Sequence, residues 1–260
     1  MKKLIYFPLI LLALTLSACS VVRGSGAVVS ETREVSGFTK VLLAGSGEVI
    51  LTQGDEESLQ VEAEDNLLAY LNSEVHNGTL VLGAQAGFRM ISLWPTKPIK
   101  YYVTVKDIEA ITLAGSGDIF TEKVETSRLD VNLYGSGNIR LDELVAQDVE
   151  VSLTGSGSIQ VGALTADEVT TTISGSGACV LEGGAAQQKL RITGSGDYQA
   201  KELESRAAEV TVSGSGSSTV WVTESLQVQI TGSGDVSYYG SPQVNERVTG
   251  SGSVSGQGKP

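Results

Sequence analysis

Apolar side chains alternate with polar ones on both sides of a glycine-rich triplet, and the arrangement recurs through most of the chain. In one copy Leu129, Val131 and Leu133 precede Gly135-Ser136-Gly137, and Ile139 and Leu141 follow it. In the next, Val149, Val151 and Leu153 precede Gly155-Ser156-Gly157, and Ile159 and Val161 follow. Side chains two apart on an extended chain share a face, so each copy predicts two strands with one inward face and a bend at the triplet. The template also fits residues 169–181, 190–203, 210–220 and 226–236. Gly-Ser-Gly occurs ten times, at Gly24, Gly45, Gly115, Gly135, Gly155, Gly175, Gly194, Gly214, Gly232 and Gly250. The four copies from Gly115 to Gly175 are spaced by 20 residues, and later spacings shorten to 19, 20, 18 and 18. A fixed period of that size implies stacked repeats that bury their apolar faces against one another. The expected fold is therefore mainly β: a parallel β-solenoid, β-helix-like, with coils of about 20 residues and a small mixed module near the N-terminus.

That module interrupts the repeat for 70 residues between Gly45 and Gly115. Leu59, Val61 and Ala63 alternate as in a half-buried strand. Residues 65–71 predict a short helix, with Asp65 or Asn66 as its N-cap. Asn77-Gly78, between two apolar segments, predicts a tight hairpin. Residues 87–98 are apolar without alternation and carry two prolines. There Phe88, Met90, Leu93 and Trp94 form a candidate contact loop, or else cover the end or flank of the solenoid. The organisation read from the sequence is a signal peptide at 1–18, a lipidated tether at 19–25, an N-terminal module at 26–110 and the repeat solenoid at 111–256.

Twenty of the 31 glycines lie in the triplets. A glycine within a strand costs roughly 0.5–1 kcal/mol relative to alanine, so twenty of them need a structural reason. A recurring corner, where φ is positive or a Cβ would clash, supplies one. The serines would then form a column able to bond to one another or to the backbone. Phosphate binding does not fit, because a phosphate-cradling glycine loop leads from a strand into a helix and these triplets lie between strands. Nor does calcium, since Asp118, Asp197 and Asp235 follow triplets without recurring in successive coils. No metal site and no cofactor are expected. Cys179 stands where earlier copies carry Ile139 and Ile159 and reads as a small buried hydrophobe. His76, the only histidine, flanks the hairpin turn with no catalytic partner near it in sequence, and no catalytic residue is assigned.

The N-terminus has Lys2 and Lys3, an apolar run at 4–16 and then Leu16-Ser17-Ala18-Cys19. The run is short for a membrane span and contains Pro8, so it reads as an export signal. The last four residues look like a lipobox, which implies cleavage before Cys19 and lipid attachment to its thiol. Ser20 follows where an inner-membrane retention signal would place Asp, which points to the outer membrane, periplasm-facing or at the cell surface. Removing residues 1–18 deletes two lysines and no acid, taking the net charge from −12 to −14. Such a surface repels nucleic acid and anionic lipid headgroups, and neither is expected as a partner.

Arg33-Glu34-Val35-Ser36-Gly37-Phe38, Asp65-Asn66-Leu67-Leu68, the Asn77-Gly78-Thr79-Leu80 hairpin and repeated Val-x-Leu-x-Gly-Ser-Gly together resemble the DUF2807 family. Its members are described as autotransporter adhesin head (GIN) domains. The similarity runs from about Gly26 to about Gly252 and implies a parallel β-helix-like fold on exported or lipid-anchored proteins, without catalytic residues. The expected function is a lipid-anchored envelope protein whose rigid acidic surface serves adhesion or structural interaction. Its partners would be the membrane, through the anchor, and a protein or glycan ligand. A carbohydrate-active enzyme on a β-helix scaffold is the alternative, to be recognised by acids converging with Arg or Lys in a side groove; flat Ser/Thr-rich faces would favour binding. A homo-oligomer joined through residues 88–94 is a third reading.

Overall fold

The computed structural model describes residues 20–84 and 91–260. The N-terminal third holds β1 (Ser20–Arg23), β2 (Val28–Arg33), β3 (Lys40–Gly45), β4 (Glu48–Gln53), β5 (Ser58–Glu64), β6 (Leu71–His76), β7 (Thr79–Ala84), β8 (Ile91–Trp94) and β9 (Lys100–Val105). The regular repeats follow as β10 (Ala110–Gly115), β11 (Asp118–Glu125), β12 (Arg128–Gly135), β13 (Asn138–Val145) and β14 (Asp148–Gly155). Longer strands bend through the later coils: β15 (Ser158–Gly175), β16 (Ala178–Gly194), β17 (Asp197–Gly214) and β18 (Ser217–Gly232). The stack closes with β19 (Asp235–Tyr239), β20 (Gln243–Gly250) and β21 (Ser253–Gly256). No α-helix occurs among the described residues.

Successive coils pair in parallel, as the period predicts. Val131 lies opposite Ile111 and Val151, and Leu133 opposite Leu113 and Leu153. These columns are closed to solvent and merge into one continuous core. Each buried aliphatic side chain contributes about 1.5–3 kcal/mol, so stability grows coil by coil.

Past the triplet the alternation slips by one residue. Ile139 and Leu141 point inward, Asp142 and Glu143 are half-buried, and Leu144 is inward again. The coil therefore turns a second corner there, and this corner absorbs the change in period. Ala200 pairs with Val220 but Glu204 with Trp221, which leaves residues 201–203 without partners in β18 where the 18-residue spacing begins.

The stack also reaches further back than residue 111. β3 pairs with β10 and β4 with β11, so the coil built on Gly45 lies directly against the one built on Gly115 despite their spacing of 70 positions. The intervening chain forms the N-terminal end. β7 and β9 extend the two sheets in parallel, while β5, β6 and β2 add antiparallel strands outside them. The Asn77-Gly78 turn joins β6 to β7 with φ of 50° and 74°, the positive values a tight hairpin needs. Arg33, on β2, bridges this end by donating to Leu71 O at 2.7 Å, Leu68 O at 2.8 Å and Ser73 Oγ at 2.8 Å.

The expected helix at 65–71 is only a 3-10 turn at Leu68–Tyr70, preceded by Leu67 and without a side-chain cap. Asp65 and Asn66 are engaged elsewhere, as described below.

The stacked triplets explain their glycines. At Gly155 φ is 126° and a Cβ would overlap Gly135 O; at Gly157 it would overlap Gly137 O and the Leu133 side chain. Backbone N–H groups continue the ladder, with Ser156 N donating to Gly135 O at 2.9 Å. The serine hydroxyls do not form the expected bonded column. The stacked serines are exposed, and among the described residues their hydroxyls bond neither one another nor the backbone.

Candidate interaction surfaces

The triplet at Gly24 is the exception: it stacks on no other copy and forms a joint. Glu64, at the end of β5, is fully buried. Its carboxylate accepts from Gly26 N at 2.7 Å, Thr96 N at 2.8 Å, the Thr96 hydroxyl and, more distantly, Lys97 N at 3.4 Å. The Thr96 hydroxyl, aided by those N–H groups, holds the Glu64 carboxyl below its ordinary range against the opposing effect of burial. A Cβ on Gly24 would overlap this carboxylate. Asn66 reinforces the joint, donating from Nδ2 to Arg23 O at 2.8 Å and accepting from Ser25 N at 2.9 Å, while the Ser25 hydroxyl donates to Asp65.

Beyond the joint, β1 and β8 form a separate two-stranded parallel sheet, with Val21 opposite Ser92 and Arg23 opposite Trp94. Leu93 packs against the core. Trp94 faces the other way and is 67 % exposed; Val21, on the same face, is 55 % exposed. Of the sequence-derived contact residues, Leu93 thus covers the solenoid and Trp94 does not. Phe88, Met90 and the proposed lipidation residue Cys19 lie outside the described residues.

The outer face before the triplets is rich in hydroxyls. Parallel register aligns Thr154, Ser174, Thr193, Ser213, Thr231 and Thr249 in one column. A neighbouring column runs Asn132, Ser152, Thr172, Arg191, Thr211 and Gln229. Strand pairing sets these groups about 4.8 Å apart along each column. A depression of about 230 Å³ here is lined by Lys189, Arg191, Glu209 and threonines. Lys189 is already paired with Glu168 at 2.7 Å, and Glu209 is the only carboxylate in the lining.

The position after the triplet forms a hydrogen-bonded ladder. Asn138 donates to Asp118 at 2.7 Å, Ser158 to Asn138 at 2.7 Å, Ser217 to Asp197 and Ser253 to Asp235 at 2.6 Å. Glu48 and Asp118 are register neighbours, an acid pair hidden in sequence by the intervening module, and Lys100 offsets it from the other side at 3.1 Å from Glu48. Among the described residues no three of His, Cys, Asp and Glu gather into a metal-binding group. His76 is exposed and contacts Glu74 at 2.8 Å.

One polar cluster lies inside the stack. Tyr198 follows Ile159 and Cys179 in the column after the triplet. Its hydroxyl donates to Gln188 Oε1 at 2.9 Å, and Gln188 Nε2 donates to Ser205 Oγ at 2.9 Å. Burial pushes the Cys179 thiol up to about 12, so it stays protonated and inert.

Solved structures share this fold. A "putative lipid binding protein" from Parabacteroides distasonis is 28% identical with a TM-score of 0.87, over 91% of this chain and 99% of that one. A "putative adhesin" from Parabacteroides merdae is 20% identical with a TM-score of 0.86, over 91% and 99%. A further "putative adhesin" from P. distasonis is 23% identical with a TM-score of 0.83, over 91% and 100%. A comparison with curated proteins finds no match. The family model described as "Putative auto-transporter adhesin, head GIN domain" matches residues 37–242, and the chain belongs to this family, DUF2807.

Proposed function

We propose that this is a lipid-anchored cell-envelope protein whose acidic solenoid presents its hydroxyl-rich face for adhesion or structural interaction, without catalysis. The column from Thr154 to Thr249 carries the reading. A regular array of hydroxyls on a rigid sheet matches a repetitive ligand, such as a glycan, through many weak contacts. The adhesin descriptions of the family and of its structural neighbours support the same reading. The lipid-binding description of one neighbour agrees with a place at a membrane. The groove on the hydroxyl-rich face does not suit glycoside hydrolysis, because paired-carboxylate chemistry needs two acids and Glu209 is alone there; Glu48 with Asp118 and Asp55 with Glu125 line other depressions, each with lysine.

The test is a glycan array and an envelope pull-down with the mature chain, compared with a variant carrying Thr193→Val, Ser213→Ala and Thr231→Val. Binding that the variant loses supports the reading. No ligand in either assay, with normal surface attachment of a deletion strain, overturns it.

A further inference from the structure

The exposed apolar side chains are unevenly distributed. Of the eight large ones found among the described residues, Val21, Val28, Val29 and Trp94 belong to β1, β2 and β8, at the N-terminal end of the stack. Val21 and Trp94 share the outward face of the small sheet, with Arg23 beside Trp94. Trp94 is the most exposed of the eight, and it is a side chain whose apolar ring and polar N–H suit the boundary between headgroups and acyl chains. A neighbouring arginine can keep its charge among headgroups while its stem lies along apolar surface.

Chain length selects the occupant. β1 begins at Ser20, the residue after Cys19. A lipid on the Cys19 thiol would leave Val21 about 7 Å away along an extended strand. No tether of useful length separates the anchor from this sheet. The sheet, in turn, cannot swing freely, because the Glu64 carboxylate and Asn66 fasten residues 23–26 and 96–97 to the end of β5 and the turn after it. An acyl anchor at Cys19 therefore brings this face, and with it the N-terminal end of the stack, against the bilayer.

We infer that the face carrying Val21, Arg23 and Trp94 is a membrane-seating platform that lies in the bilayer interface beside the lipidated Cys19 and holds the solenoid with its N-terminal end towards the membrane. The inference rests on the lipoprotein reading above. The hydroxyl column starts at Thr154, further along the stack, and remains open to a ligand. A lipid anchor then fixes the solenoid's orientation as well as its location.

The experiment uses the acylated mature chain, from Cys19 onward, in vesicles of phosphatidylethanolamine and phosphatidylglycerol whose acyl chains are brominated. The protein has two tryptophans, so Trp221→Phe leaves Trp94 as the reporter and Trp94→Phe leaves Trp221, which lies in the later coils. Mass spectrometry of the N-terminal peptide measures acylation of Cys19 independently. The expected result is a blue shift and loss of most Trp94 emission in brominated vesicles, with Trp221 emission unchanged. If Cys19 is acylated and the protein bound, but Trp94 is quenched no more than Trp221, the platform is overturned and the lipoprotein reading stands. An unmodified Cys19 in exported protein overturns both.

Discussion

Gly183 and Gly184 are adjacent but differ in what they tolerate. At Gly183 φ is 127° and a Cβ would overlap Leu164 O, whereas at Gly184 no atom lies within 4 Å of that position. Gly183→Ala should lower stability by about 1–3 kcal/mol from backbone conformation alone, with the clash adding to it. Gly184→Ala should be neutral or stabilising by up to about 1 kcal/mol. Urea denaturation midpoints of the two variants separate these outcomes. In sequence the two glycines look alike, because only stacking reveals which one meets a carbonyl. Tyr198 presents a similar contrast: alternation placed it inward, but not its bond to Gln188, 10 residues back along the chain and supplied by another side of the coil. Tyr198→Phe leaves Gln188 Oε1 buried without that donor and should cost about 1–3 kcal/mol. The same denaturation series measures it, and a midpoint equal to wild type would remove the interior cluster from the account of stability.

At the scale of elements, alternation predicted the repeat strands because one face is uniformly buried and the other solvated. It could not predict the Gly24 joint, since that triplet is identical in sequence to the nine that stack. Residues 65–66 were misread for the same reason: a side chain able to cap a helix can also bind a distant loop, and here the loop at Ser25 takes both. The joint has a pH signature. Glu64 has its carboxyl held below the ordinary value by its donors in the folded protein. Its stabilising contribution is thus complete above the unfolded carboxyl value of about 4.3 and disappears as pH falls through the lower folded value. Hydrogen-exchange protection factors at residues 23–27 and 94–97 should fall in that acid window while the middle coils stay protected. Glu64→Gln should show the lowered protection already at neutral pH, with no acid step left; an acid step that survives this substitution would assign it to another group.

For the whole molecule, the period led to the solenoid, but the ends of the stack were not legible. An end is defined by what fails to pair, and pairing across 70 residues leaves no local mark. At the far end, Val244, Glu246 and Val248 are in register with Leu226, Val228 and Ile230, so they occupy inward columns, yet all three are exposed. β20 pairs only with β18 among the described strands, which leaves an open edge able to template another chain. Two valines there favour such pairing. The Glu246 charge opposes it, since a further strand across this end would cover a carboxylate set over an apolar column, at a cost of several kcal/mol. Glu246→Val should therefore convert the end into a self-associating surface, seen in sedimentation velocity as concentration-dependent growth beyond the wild-type species. Glu246→Lys should not. Equal sedimentation of the valine variant and wild type would show that the charge does not protect the edge.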